Sequence, residues 1–315
     1  MKKSPEQQQP MSTSTKIWIS IFILISLLFI STITAAVLVG NNNVDANTAH
    51  IKVHGVITGD GSSGIFSSNS ASSTEIVREL KKAKNDEQIK AVLLEINSPG
   101  GSPVASDEIA QAIKDVRAAN KTVVALIREE GASGGYWIAS ATNHIVANRM
   151  SVTGSIGVIG SYMQFDKFLA DWNVSYNRMV AGERKDIGDP FVNLDDTKKE
   201  FLQRKLDKLH TFFIEEVATN RNMSVKDVRD LADGEIYLGV EAKEVGLVDE
   251  LGGQTEALNY IKKKIGVEPS LVVYEPDKTF MEELFGVVSP AKQPTLEDVA
   301  RQQTVGSDSP QFQMR

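Results

Sequence analysis

Ser133 is the residue with the clearest chemical setting. It stands in Gly131-Ala132-Ser133-Gly134-Gly135, which follows the apolar stretch 122–127 by a short turn, expected over the charged residues 128–130, and opens a helical pattern. A serine at such a junction meets backbone N–H groups that have no partner in the helix. Glycines on both sides let a substrate backbone come close. These are the needs of a serine nucleophile with an oxyanion hole. The same pentapeptide is also an ordinary glycine-rich helix start. Asn97-Ser98-Pro99-Gly100-Gly101 is a second such turn. Pro-Gly favours a type II turn, and its backbone N–H groups are available as a second oxyanion donor.

A serine needs a base. The Gly-x-Ser-x-Gly spacing of α/β-hydrolases would require a histidine late in the chain. Of the four histidines (His50, His54, His144 and His210), only His144 and His210 follow Ser133. His144 falls in a short apolar strand and His210 in a long polar helix, so both read as structural or solvated. Lysine is the other candidate. Lys185 lies in the glycine-led loop Gly182-Glu183-Arg184-Lys185-Asp186-Ile187. Arg184 stays protonated and is excluded. A lysine serves only where loss of water makes its amine neutral. Read alone, Lys185 is also an ordinary surface residue.

The elements that would position these residues alternate. Strands are expected at 51–57, 89–96, 122–127, 144–147, 175–180 and 271–274. Helices are expected from Ser73 or Thr74, over 106–119 and 134–142, from Asp195 or Thr197 to about Asn220, and over 240–245 and 255–265. The near-continuous apolar run Ile89–Ile96 suits a strand covered on both faces of a parallel sheet. The order predicts an α/β fold. Glu129 and Glu130 stand before the Ser133 turn, where a carboxylate facing the groove would oppose a neutral lysine.

The chain has 315 residues, 34 Lys and Arg against 41 Asp and Glu, and no cysteine. The missing thiols exclude disulfides and a cysteine nucleophile. The net charge of −7 gives no nucleic-acid footprint. Ile17–Val39 is a 23-residue run without charge, long enough as a helix to span a bilayer. Three lysines and one glutamate precede it, which places the short N-terminus in the cytoplasm and the body outside. The expected organisation is a cytoplasmic segment 1–16, a transmembrane signal anchor 17–39, a linker 40–48, an extracytoplasmic domain 49–288 and a disordered tail 289–315.

Together these segments resemble the signal peptide peptidase A family in its short, single-repeat form. The likeness runs from about Ile51 to Gly253. It is carried in order by INSPGGS (96–102), GASGGYWIAS (131–140), VTGSIGVIG (152–160), AGERKDI (181–187) and ADGEIYLGVEAKEVGLVDELGG (232–253). It implies a Clp-protease/crotonase-like spiral of ββα units. It implies a membrane-anchored serine endopeptidase acting on signal peptides and other apolar peptides, assembled as a homo-oligomer, with no cofactor or metal. Ser133 would be the nucleophile and Lys185 the general base. Ser155 would contact the lysine, and the Gly101 and Gly134 N–H groups would hold the oxyanion. The dyad need not form within one chain. Three other readings remain open: a protease of the same fold specific for membrane proteins, an acyl-CoA enzyme of the crotonase type, and an inactive membrane-anchored scaffold.

Overall fold

In the computed structural model, the described residues are 13–40, 46–60 and 70–274, with side chains of the first helix described over 18–31 alone. The expected tail lies outside them, as does most of the linker.

Helix α1 (Thr13–Gly40) covers the uncharged run. Among the described residues, no helix is long and apolar enough to cross a membrane. The transmembrane anchor expected over 17–39 is therefore not borne out by the described residues.

The chain then forms β1 (Thr48–His54), β2 (Val56–Thr58), β3 (Ser70–Ser72), α2 (Ser73–Asn85), β4 (Ala91–Ser98), α3 (Pro103–Ala118), β5 (Thr122–Ala132) and α4 (Gly134–Ser140). It continues through β6 (His144–Ala147), β7 (Val152–Gly154), α5 (Asp166–Asp171), α6 (Asp196–Arg221), α7 (Val225–Asp230), β8 (Ile236–Leu238), α8 (Gly239–Glu244), β9 (Glu250–Leu251), α9 (Gln254–Ile265) and β10 (Leu271–Val273).

The result is a mixed α/β fold. Six strands run β10-β1-β4-β5-β6-β9, all paired in parallel. One face buries Leu94, Ile96, Ala125 and Ile127 with Ile109, Ile113 and Ile138 of α3 and α4. The other buries Leu93, Val124 and Leu126 with Ala257 and Ile261 of α9. Burial on both faces explains the unbroken apolar sequence of β4.

Several expected boundaries move. The first strand breaks at Gly55, whose φ of 83° only glycine adopts readily, and resumes as β2. Ser70–Ser72, outside every expected strand, is β3. Helix α3 begins at Pro103 rather than Ser106, because the Ser102 hydroxyl accepts from the Ala105 N–H and proline suits the first turn. Residues 175–180 are not a strand. Helix α6 starts after Asp195 as expected, but the first half of its apolar stripe stays out of the core, with Phe213 and Val217 buried.

The largest difference is in β5, which runs on to Ala132 with no intervening turn. Its first half pairs with β6, Val124–Ile127 against His144–Ala147. Its last three residues leave β6 and pair with β7, Glu130–Ala132 against Val152–Gly154. Strand β8 adds to β7 in antiparallel fashion. This exchange of partners carries the Ser133 turn to the end of β5, beside the segment that follows β7.

Candidate active site

At Ser133 the chain turns from β5 into α4 with φ 50° and ψ −121°. Five non-glycine residues among those described have positive φ: Asn120, Asn173, Asn222, Ser133 and Ser155. Asparagine tolerates this region, while other side chains pay for it. The two serines are therefore the strained pair, and such strain is held by surrounding contacts. Those contacts are visible. Ala132 pairs with Gly154, the Ser133 N–H donates to the Gly154 carbonyl at 2.8 Å, and the Ser155 N–H donates to the Glu235 carbonyl at 2.8 Å. Each serine sits one residue past a paired position, so β5–β7 pairing brings Ser133 and Ser155 side by side.

The Asn97–Gly101 turn packs on Ser133 from the other side. A Cβ on Gly100 would lie 2.9 Å from the Ser133 Cβ and 2.7 Å from the Gly134 nitrogen. A Cβ on Gly134 would lie 2.4 Å from the Ser106 Oγ and 3.3 Å from the Gly101 nitrogen. Glycine at these positions is thus a condition of the close approach. Gly101 bridges in parallel to Ile57. The bonds of that bridge belong to its neighbours: the Ile57 N–H donates to the Gly100 carbonyl and the Ser102 N–H to the Ile57 carbonyl, both at 2.8 Å. The Gly101 N–H therefore faces away from Ile57. Neither it nor the Gly134 N–H has an acceptor among the described residues. Two unused donors flank a serine hydroxyl, the arrangement that stabilises an oxyanion.

A cavity of about 550 Å³ adjoins the serine. Gly101, Ser133 and Gly134 line it, with Trp137, Val158, Ile159, Leu209, Phe212 and Phe213 as its apolar wall. The Trp137 and Phe213 rings are 4.8 Å apart. Phe213 belongs to the apolar stripe of its helix, and no motif in the sequence alone singles out Trp137. Its position four residues after Ser133, on the same helix face, is the signal that could have found it.

No histidine lines this cavity. The His144 Nε2 lies 3.1 Å from Glu250 and its ring stacks on Tyr260 at 3.8 Å. The His210 Nε2 lies 3.2 Å from the Ile156 carbonyl. Lys185 does not line it either. Within this single chain Lys185 is exposed, in a turn where its N–H donates to the Gly182 carbonyl at 3.1 Å. The next residue, Asp186, is buried. It pairs with Arg178 and, at 3.3 Å, with Lys198, so it pins the turn to the body. Glu129 and Glu130 line a separate cavity with His54, Asn97 and Val152. Burial raises the Glu130 carboxyl above its ordinary range. The structure brings together Gly101, Ser133, Gly134 and Ser155, and leaves Lys185 outside that group.

Sequence comparison adds an independent view. The model for peptidase family S49 matches residues 115–268, and that for Clp protease matches residues 65–159. The chain is 34% identical over 212 residues to a protein of Methanocaldococcus jannaschii that carries the name of a protease, covering 67% of this chain and 68% of that one. It is 34% identical over 230 residues to a protein of Enterococcus faecium that carries the name signal peptide peptidase SppA, covering 73% and 67%. It is 32% identical over 233 residues to Protease 4 of Haemophilus influenzae, covering 74% of this chain and 37% of that longer one.

Proposed function

This chain belongs to peptidase family S49 and is a serine peptidase, and on that premise we propose that it is a membrane-anchored endopeptidase with a Ser133–Lys185 dyad, cleaving signal peptides and other apolar peptides outside the cytoplasmic membrane. The observation that carries this reading is the strained Ser133 between two unused N–H donors, beside an apolar cavity. A spiral of ββα units is the architecture we infer, supported by the exchange of β6 for β7 along β5 and by the Clp protease match.

The chemistry follows from the positions. The Ser133 Oγ attacks the carbonyl carbon of a peptide bond while its proton passes to the Lys185 amine. The Gly101 and Gly134 N–H groups take up the charge on the carbonyl oxygen. The lysine ammonium then gives its proton to the leaving amine as the C–N bond breaks. Water, deprotonated by the same amine, hydrolyses the acyl ester and frees Ser133. Ser155, beside Ser133, orients the amine.

Exposure of Lys185 in one chain fits a dyad completed between subunits. The segment around it leaves Met163, Phe168, Trp172, Val174 and Met179 open to solvent. An apolar surface of this extent on a soluble body marks an interaction site, and a second copy of the chain is the occupant we assign. Contact with a neighbour would strip water from Lys185, the condition for a neutral base. Anchoring by the uncharged run 17–39 holds the groove near the bilayer, where apolar peptides are concentrated.

The test is a pair of variants. Ser133→Ala and Lys185→Ala should each abolish peptide cleavage while fold and assembly persist. Full activity in either rejects the dyad.

A further inference from the structure

The cavity beside Ser133 is chemically two-sided. Beyond its apolar wall it is lined by Asp107 of α3 and by Glu215 and Glu216 of α6, and by no lysine or arginine. Glu216 is already satisfied: the Lys114 Nζ lies 2.5 Å from it and the Asn220 amide donates to it at 2.9 Å. The Asp107 carboxylate makes no hydrogen bond or ion pair among the described residues, and neither does that of Glu215, whose backbone carbonyl alone accepts from the Thr219 hydroxyl. A second observation points to a ligand. Trp137 is 8% exposed, its ring lines the same cavity, and its indole N–H has no acceptor among the described residues. A buried donor of this kind is normally paired, so a substrate that opens the wall beside it brings the acceptor, and in a peptidase groove that acceptor is a peptide carbonyl.

The unused N–H groups of Gly101 and Gly134 fix where the scissile carbonyl sits. Both glycines line the cavity, so the side chain of the residue bearing that carbonyl enters it. An aliphatic stem with a cationic head matches both halves: methylenes on the Trp137 and Phe213 rings, the charge at the two free carboxylates. We propose that this cavity selects peptides with lysine or arginine as the residue whose carbonyl Ser133 attacks. The inference rests on the serine-peptidase reading and narrows its substrate to apolar peptides punctuated by basic residues. Signal peptides are such peptides, with a charged segment next to an apolar one.

Three peptides that differ only at the cleaved residue test this: lysine, norleucine and Nε-acetyl-lysine, presented to the full chain in detergent micelles. At about 50 mM salt, kcat/KM for lysine should exceed that for norleucine by about 3- to 10-fold, the scale of two partly exposed charge contacts, with acetyl-lysine behaving as norleucine. The lysine-to-norleucine ratio should fall towards one at about 0.5 M salt, where such contacts are screened. It should also fall in the double variant Asp107→Asn, Glu215→Gln. Equal rates at low salt, or a lysine advantage that survives both carboxylate replacements, would overturn the assignment. Cleavage of norleucine that is lost in Ser133→Ala, with no lysine advantage, removes this inference and leaves the peptidase reading standing. Absence of cleavage of all three by folded, assembled protein removes both.

Discussion

Ser133 pays for its geometry. A side chain at φ 50° and ψ −121° is held there against its own preference, at a cost on the order of 1–3 kcal/mol. Glycine carries no such cost. Ser133→Gly should therefore be more stable to denaturant than Ser133→Ala by about 1 kcal/mol, although both lose the hydroxyl and both are inactive. Paired urea melts decide it, and equal midpoints would mean the turn is not strained. The oxyanion donors bear a different test. A Cβ on Gly134 would lie 2.4 Å from the Ser106 Oγ, so Gly134→Ala must push the two turns apart. Its kcat should fall by about 100- to 1000-fold, the effect of losing one oxyanion donor. Unchanged kcat would show that the Gly134 N–H does not meet the transition state.

Strand β5 is the element that assembles the site. It places Ser133 at its end, brings Ser155 alongside through β7 and leaves β4 to deliver the Gly100-Gly101 turn. The sequence showed both glycine turns and the helices behind them, because apolar periodicity and caps are local. It did not show that Arg128, Glu129 and Glu130 remain in the strand. Three charged residues read as a turn by composition, and only pairing with β7 overrides that. The remote cavity wall was hidden for the same reason, since Trp137 and Phe213 meet through tertiary packing. Strand β1 carries a pH dependence of its own. His50 lies buried, 3.0 Å from Glu95, which also meets His54 and Arg128. Burial lowers the His50 pKa below its ordinary value, outweighing the attraction of Glu95, with Lys52 and His54 adding to the lowering. A base lowered in the fold takes its proton more readily when unfolded. This contribution is present above about pH 6.5 and is lost as the pH falls through that value towards the lower folded pKa. The urea midpoint should drop between pH 7.5 and pH 5.5, and drop less in His50→Asn. An equal drop in both would assign the effect elsewhere.

Among the described residues, the chain leaves a broad apolar surface open to solvent. Met179 is 102% exposed and Trp172 71%, in the stretch that also carries Lys185. If this surface joins copies of the chain, Met179→Glu should shift the assembly towards monomer in sedimentation and remove cleavage with it. A fully active monomer would contradict a site shared between subunits. Mixing Ser133→Ala and Lys185→Ala chains before assembly should restore part of the activity that each lacks alone, since some neighbours then supply the missing partner. The most direct measurement is the position and rate of labelling by a fluorophosphonate in the assembled protein. Wild-type chains should be labelled at Ser133 alone, and Lys185→Ala should slow that labelling by about 100- to 10,000-fold, the contribution of a general base. Labelling of Ser133 at the wild-type rate without Lys185, or labelling at another serine, would contradict the account.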